Sequence, residues 1–168
     1  MADLWPLSGL KVETEATFAQ KSIPLGMHSG RVDVKGRLKV PVEVEDYLKG
    51  ERLFVTSFDG KVGRIYPLPL WLENAKLLFD DMEDPEGAEA LSLMADKYGA
   101  SATLDAEGRV LLPTILRRKM GIENKPVQLR YYQGAIHIMS MDLFEEMDRQ
   151  AEEQAADKLK TFRRKGLK

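Results

Sequence analysis

The chain has 168 residues, of which 43% are hydrophobic and 31% are charged, a composition typical of a globular protein and not of a disordered one. It contains no cysteine and two histidines, which excludes a disulfide framework, thiol chemistry and the usual ligand sets of zinc. The formal net charge of −2 excludes a uniformly basic surface for nucleic acid, so any such surface has to be local.

Several further functions are disfavoured by the sequence. There is no apolar run of about 18 residues and no secretory-signal pattern at the start, so we expect a cytoplasmic protein without membrane contact. The chain also lacks a phosphate-binding glycine loop, a nucleophile motif and a zinc motif. We therefore expect no enzymatic activity, no cofactor, no metal and no small-molecule substrate.

A short segment occurs twice in the chain. VDVKGRLKVP at 32–41 returns as LDAEGRVLLP at 104–113, with a constant separation of 72 residues, as from 33 to 105. The shared residues are Asp33 and Asp105, Gly36 and Gly108, Arg37 and Arg109, and Pro41 and Pro113. Because a repeat of roughly 50–60 residues has too little core to be stable alone, we expect the two copies to share one.

The repeat divides the chain into five predicted parts. Residues 1–22 form an N-terminal extension, 23–79 the first repeat, 80–97 an acidic linker and helix, 98–150 the second repeat, and 151–168 a basic C-terminal helix or tail.

Each repeat is predicted to fold as strand, turn, strand, helix, strand, strand, helix. In the first copy a glycine turn at Lys35-Gly36 joins two strands, and a short helix follows from Pro41 to Gly50. Two further strands meet at the hairpin signal Asp59-Gly60, and the run LPLWLENAKLLF predicts the last helix of this copy.

The second copy follows the same order. The run GAEALSLMADKY predicts a helix that leads into it, and PTILRRKMG predicts a short helix from Pro113 to Gly121. Two strands meet at Gln133-Gly134, and a long final helix begins with Asp142, three residues before Glu145, as in a capping box.

Charge is unevenly distributed along the chain. Residues 31–39 hold four bases and one acid, whereas residues 80–89 hold six acids and no base. Alternation predicts one strand face that carries Arg31, Asp33, Lys35, Arg37 and Lys39, and an opposite, core-facing side that carries residues 32, 34, 38 and 40.

The basic face suits DNA, because arginine can form two parallel hydrogen bonds with phosphate or guanine and lysine adds charge. The residues that we expect to contact DNA are Arg31, Lys35, Arg37, Lys39 and Arg109. Arg109 lies in a weaker field, since Glu107 stands beside it.

An ordinary solvated strand face, with Asp33 paired to Arg37 across the turn, is the structural alternative. For Asp33 and Asp105 we favour that role, because a carboxylate repels phosphate. The basic cluster at 117–119 is a weaker candidate for DNA contact.

The pattern of aspartate, three residues, arginine, alternating apolar residues and proline resembles the SpoVT/AbrB DNA-binding fold. Two such units in tandem resemble the MraZ family of bacterial transcriptional regulators. The resemblance covers about residues 24–147 and includes LFVTSFDGKVGRIYPLPLW and GASATLDAEGRVLLPTILRRKMGI.

This resemblance implies an α+β, mainly β fold, a pseudo-two-fold swapped-hairpin β-barrel with flanking helices. It also implies a nucleoid-associated homo-oligomer, a ring of subunits that represses transcription. Its partner is double-stranded DNA, at direct repeats upstream of the division and cell-wall gene cluster, and the arginine of each motif is implicated in DNA contact. Two other interpretations remain open. One is an AbrB-like antitoxin or protein-interaction module that binds a partner through its C-terminal helix, and the other is a structural ring without DNA.

Overall fold

A computed structural model describes residues 22–168 of the chain. The predicted N-terminal extension lies outside the described residues except at its last position. The boundaries predicted for the five parts of the chain likewise stay predictions.

Eight strands and five helices make up the described residues. The strands are β1 (Met27–Val32), β2 (Arg37–Lys39), β3 (Arg52–Thr56), β4 (Gly63–Pro67), β5 (Ala100–Thr103), β6 (Arg109–Leu111), β7 (Pro126–Tyr132) and β8 (Ala135–Ser140). The helices are α1 (Val42–Leu48), α2 (Leu68–Asp80), α3 (Pro85–Tyr98), α4 (Thr114–Met120) and α5 (Met141–Arg164). Every strand and helix predicted after residue 22 is present.

All eight strands belong to one antiparallel sheet, in the order β5-β3-β4-β8-β7-β1-β2-β6. The two end strands, β5 and β6, approach each other at their own turn, where the Asp105 amide donates to the Arg109 carbonyl at 2.9 Å, so the sheet is a nearly closed barrel. Strands of the two copies interleave, and exchanging the copies reproduces the same cyclic order. The α+β fold with a swapped-hairpin barrel is therefore confirmed.

The two repeated turns are brought together by pairing between β2 and β6. Leu38 lies opposite Val110 at the centre of this pairing. Beyond it, the Val40 amide donates to the Gly108 carbonyl, and the Leu112 amide donates to the Gly36 carbonyl, each at 3.0 Å. Each turn glycine thus accepts a hydrogen bond from the other copy, and neither hairpin is complete without its counterpart.

Apolar residues that alternate along these strands fill the barrel. Val32, Leu38 and Val110 are fully buried, as the period-two pattern predicted. The prediction was wrong for Val34, whose side chain is 79% exposed. Its position belongs to the turn and not to a strand, because the Gly36 amide donates to the Asp33 carbonyl at 3.0 Å and reverses the chain there.

The helix boundaries follow local chemistry. Pro41 and Pro113 stand immediately before α1 and α4, and Gly121, with φ of 68°, ends α4 in the left-handed conformation. The start predicted for α5 was wrong. Ser140 is its N-cap and accepts from the Leu143 amide at 3.1 Å, so Asp142 lies inside the first turn.

No helix within residues 22–168 has the length and apolar character required to cross a bilayer.

Candidate nucleic-acid interface

The first repeated turn is organised by the carboxylate of Asp33. One oxygen accepts from the backbone amides of Lys35 and Arg37, each at 2.9 Å, and the other accepts from the Arg37 side chain at 2.8 Å. The ion pair that we considered as the structural role of Asp33 is therefore present. It also aligns the guanidinium of Arg37, which remains 31% exposed.

The second turn repeats this geometry with one addition. Asp105 accepts from the backbone amides of Glu107 and Arg109 at 2.9 Å and from the Arg109 side chain at 3.0 Å. The Glu107 carboxylate also pairs with the guanidinium of Arg109. Arg109 is thus held by two acids, whereas Arg37 is held by one.

Both aspartates are stabilised in their charged form. The backbone hydrogen bond from Arg37 is the main reason that the pKa of Asp33 is lowered. Burial raises the pKa of Asp105, but the hydrogen bonds and charge of Arg109, with the nearby charge of Arg37, lower it overall. Since Arg37 acts on Asp105, the two turns share one electrostatic field.

The cations predicted from the sequence lie together on three adjacent strands. Arg31 of β1 is directly opposite Lys39 of β2, and Lys39 is directly opposite Arg109 of β6. Opposite residues of an antiparallel pair share one face, so these three residues form a row, which we call the cation row. Lys35 is exposed at the adjacent turn. Arg37 lies at the start of β2, two positions before Lys39, so four of the five predicted residues belong to the first hairpin and the fifth, Arg109, lies on the strand paired with it.

Hydrogen bonds fix two members of the cation row. The Arg31 side chain donates to the Asn124 carbonyl at 3.2 Å. The Lys39 ammonium donates to the Glu107 carbonyl, and so connects β2 to the second turn. Arg31 and Lys39 nevertheless remain exposed.

The two copies differ in charge at equivalent positions. Residues 31–39 have a net charge of +3 from four bases and one acid, whereas residues 103–111 have −1 from one base and two acids. The bases of the first copy that have no basic equivalent are Arg31, Lys35 and Lys39, which correspond to Thr103, Glu107 and Leu111. The attraction for an anion is therefore concentrated on the first copy.

Comparison with known proteins agrees with this architecture. The transcriptional regulator MraZ of Koribacter versatilis is 35% identical over 113 residues, which cover 64% of this chain and 76% of that protein. The chain belongs to the MraZ family. MraZ of Acidobacterium capsulatum is 43% identical over 98 residues, 55% of this chain and 65% of that protein. MraZ of Shewanella loihica is 31% identical over 104 residues, 58% of this chain and 67% of that protein. No family model matches the chain.

The names of these MraZ relatives describe transcriptional regulators, a class of protein that is not enzymatic. Within residues 22–168, no group of three or more histidines or acids is arranged to hold a metal ion.

One residue of this MraZ-family chain has a structural role that the sequence did not reveal. Arg117 of α4 belongs to the basic cluster at 117–119, but its side chain is 15% exposed and lies beneath the first turn. A Cβ added to Gly36, whose φ is 82°, would stand 2.3 Å from the Arg117 Cζ. Arg117 also donates to the Leu112 carbonyl at 2.7 Å, and its Nε lies 3.3 Å from a Glu123 oxygen.

The equivalent position in the first copy is an acid. Glu45 of α1 stands 72 residues before Arg117 and lies beneath the second turn, where a Cβ on Gly108 would be 2.9 Å from its carboxylate. The first turn is thus supported by a cation and the second by an anion. The separation of 72 residues also holds in the short helices, where Val44 and Leu116 are equivalent and both buried. Extending the repeat to these helices in the sequence would have identified Glu45 and Arg117 as equivalent positions.

Proposed function

We propose that the chain is a sequence-specific DNA-binding regulator that occupies a promoter and represses transcription. The observation that carries this proposal is the concentration of cations on the first copy, where Arg31 lies directly opposite Lys39 and Lys35 and Arg37 stand at the turn between their strands. Like charges directly opposite each other destabilise a sheet, so the Arg31–Lys39 pair has a cost in the free protein that an anionic ligand would offset. DNA phosphates are such a ligand, and the names of the MraZ relatives support this assignment.

The first copy supplies most of the proposed contact. Arg37 is aligned by Asp33 and can present its outer nitrogens to phosphate or to a guanine edge. Arg31, Lys35 and Lys39 surround it with positive charge. Arg109 contributes less, because Asp105 and Glu107 already neutralise it.

Several copies of this surface are needed for useful affinity. A few phosphate contacts are weak at physiological salt. An oligomer that presents the surface repeatedly gains by effective concentration without any new kind of contact. We therefore propose a homo-oligomeric ring in the cytoplasm, associated with the nucleoid. It binds direct repeats in promoter DNA upstream of the division and cell-wall gene cluster.

The test uses DNA from upstream of the gene for this chain, in footprinting and gel-shift assays across a salt series. We expect Arg37→Ala to abolish retention, while Arg37→Lys weakens it because a point charge replaces a bidentate donor. Arg109→Ala is the matched control and should keep most of the binding. Sizing chromatography checks that each variant retains its oligomeric state.

Two results would count against the proposal in different ways. Normal footprinting by Arg37→Ala would show that the assigned surface is wrong. Equal losses in Arg37→Ala and Arg109→Ala would leave DNA binding intact as a function but contradict the dominance of the first copy.

A further inference from the structure

The last helix extends beyond the barrel. At 24 residues, α5 is about 36 Å long, and its main contacts with the barrel are made with β7 and β8. None of its residues is buried, and every residue from 145 to 168 is exposed. A helix of this length that packs against so little is marginal in stability, because helices in proteins depend on burying an apolar face.

An apolar stripe nevertheless runs along α5. Its residues follow spacings of three and four, the period that places them on one side of a helix. They are Phe144, Met147, Ala151, Ala155, Leu159 and Phe162. Met147 and Leu159 are each 39% exposed and Phe162 is 49% exposed.

The stripe is symmetric about position 153. Phenylalanines stand nine positions on either side, Met147 and Leu159 stand six positions away, and two alanines stand two positions away. Read in either direction, it presents large, large, small, small, large and large side chains. Two copies of this helix in opposite directions would therefore place large side chains at the ends and alanines at the centre, where the backbones can approach closely.

Charge on the same segment is separated into two halves. Residues 141–157 carry seven acids and one base, a net −6, whereas residues 158–168 carry six bases and no acid, a net +6. The helix dipole favours acids at the start and bases at the end, but its influence is limited to the first and last turns. The acids continue to Asp157, more than three turns beyond the first, so the dipole does not account for the separation.

We propose that α5 pairs in antiparallel orientation with α5 of a second copy of this chain. In that orientation the acidic half of each helix, with a net charge of −6, lies beside the basic half of the other, with a net charge of +6. The two symmetric stripes are also aligned. A parallel pair would instead place like charges together along the whole length. The proposal rests on residues outside the DNA surface, so it stands or fails independently of the proposed DNA binding.

The orientation can be tested by disulfide formation, because the chain has no native cysteine. Met147→Cys and Leu159→Cys are prepared as full-length variants, mixed in equal amounts and oxidised, and the linked dimers are separated by mass. In the antiparallel pair, position 147 faces position 159 of the other copy, whereas identical positions are about 18 Å apart along the axis. A disulfide requires Cα atoms within about 7 Å. We therefore expect mixed 147–159 dimers to predominate.

A second measurement asks whether the pairing contributes to assembly. Leu159→Gln interrupts the stripe, and Ala156→Gln makes a similar change on another side of the helix as the matched control. Sedimentation of both variants and of the unmodified chain gives the concentration at which the assemblies dissociate. We expect Leu159→Gln to raise it at least several-fold and Ala156→Gln to leave it unchanged.

Several outcomes would overturn the proposal. Dimers linked through identical positions would indicate a parallel pair. Absence of linked dimers from the purified chain would show that the stripe does not pair with a second copy. Equal dissociation concentrations for the two glutamine variants would show that the stripe takes no part in assembly.

Discussion

The guanidinium of Arg117 lies directly against the backbone of Gly36, so a helix of the second copy supports the turn of the first. A side chain at position 36 would require the Arg117 guanidinium to move. Because Arg117 also holds the Leu112 carbonyl and Glu123, the shape of the turn is coupled to the β2–β6 pairing that joins the two copies. The proposed DNA surface is therefore a product of both repeats, although its charge comes mainly from one.

This contact predicts an unusually large effect of a small substitution. Gly36→Ala introduces strain, because φ is 82°, and displaces the Arg117 side chain from its partners. Gly50→Ala is the matched control, since φ there is 77° and no atom lies within 4 Å of the added Cβ. We expect Gly50→Ala to lower the free energy of unfolding by about 1–2 kcal/mol and Gly36→Ala to lower it further. Urea denaturation measures both, and equal losses would contradict the contact.

The charge difference between the copies can be tested by reciprocal substitution. Lys35→Glu makes the first turn resemble the second, and Glu107→Lys does the reverse. We expect the first change to weaken DNA binding at least tenfold and to reduce its salt dependence, and the second to strengthen both. Fluorescence anisotropy across a salt series measures these effects. Unchanged affinity in both variants would place the DNA surface elsewhere.

Acid sensitivity should arise in part from His137. Burial, together with the charges of Arg64 and Arg130 on the neighbouring strands, lowers the pKa of its imidazole from the ordinary 6.5 to about 4. The unfolded chain therefore binds a proton at this histidine near pH 6.5, whereas the folded chain binds it only near pH 4. The free energy of unfolding therefore falls as the pH decreases through that window.

Replacing this histidine should reduce that pH dependence. We expect the free energy of unfolding of His137→Gln to change less between pH 7 and pH 4.5 than that of the unmodified chain. His28→Gln, which replaces the other histidine, in β1, is the comparison variant. Denaturant midpoints over this range measure the slopes, and identical slopes for all three proteins would refute the assignment.

The start of α5 gives a prediction about local stability. Ser140 caps the helix through its hydroxyl, whereas Asp142 contributes through its charge in the first turn. We expect Ser140→Ala to lower the free energy of unfolding by about 1 kcal/mol and Asp142→Ala by less. Thermal unfolding followed by circular dichroism compares the two variants. A larger loss of stability in Asp142→Ala would support the capping box predicted from the sequence.

Local patterns in the sequence were sufficient to predict the strands, the helices and the repeat. Alternation identified the buried faces at Val32 and Leu38, and glycine turns located the hairpins. Such patterns depend on neighbouring residues only, which is why they are readable along the chain. They were wrong at Val34, where two local signals compete. Alternation assigned this residue to the core, but the hydrogen bonds of the turn place it on the surface.

By itself, the sequence determined that two copies of one hairpin unit exist, that they share one core, and which cations the first copy carries. The tertiary structure alone decided which residues meet across the copies. Arg31, Lys39 and Arg109 become a row only through strand pairing, and Arg117 and Glu45 reach their turns only because each hairpin packs over the helix of the other copy. Those contacts join residues tens of positions apart, and their partners are fixed by the register of β2 against β6, which depends on the packing of the whole core.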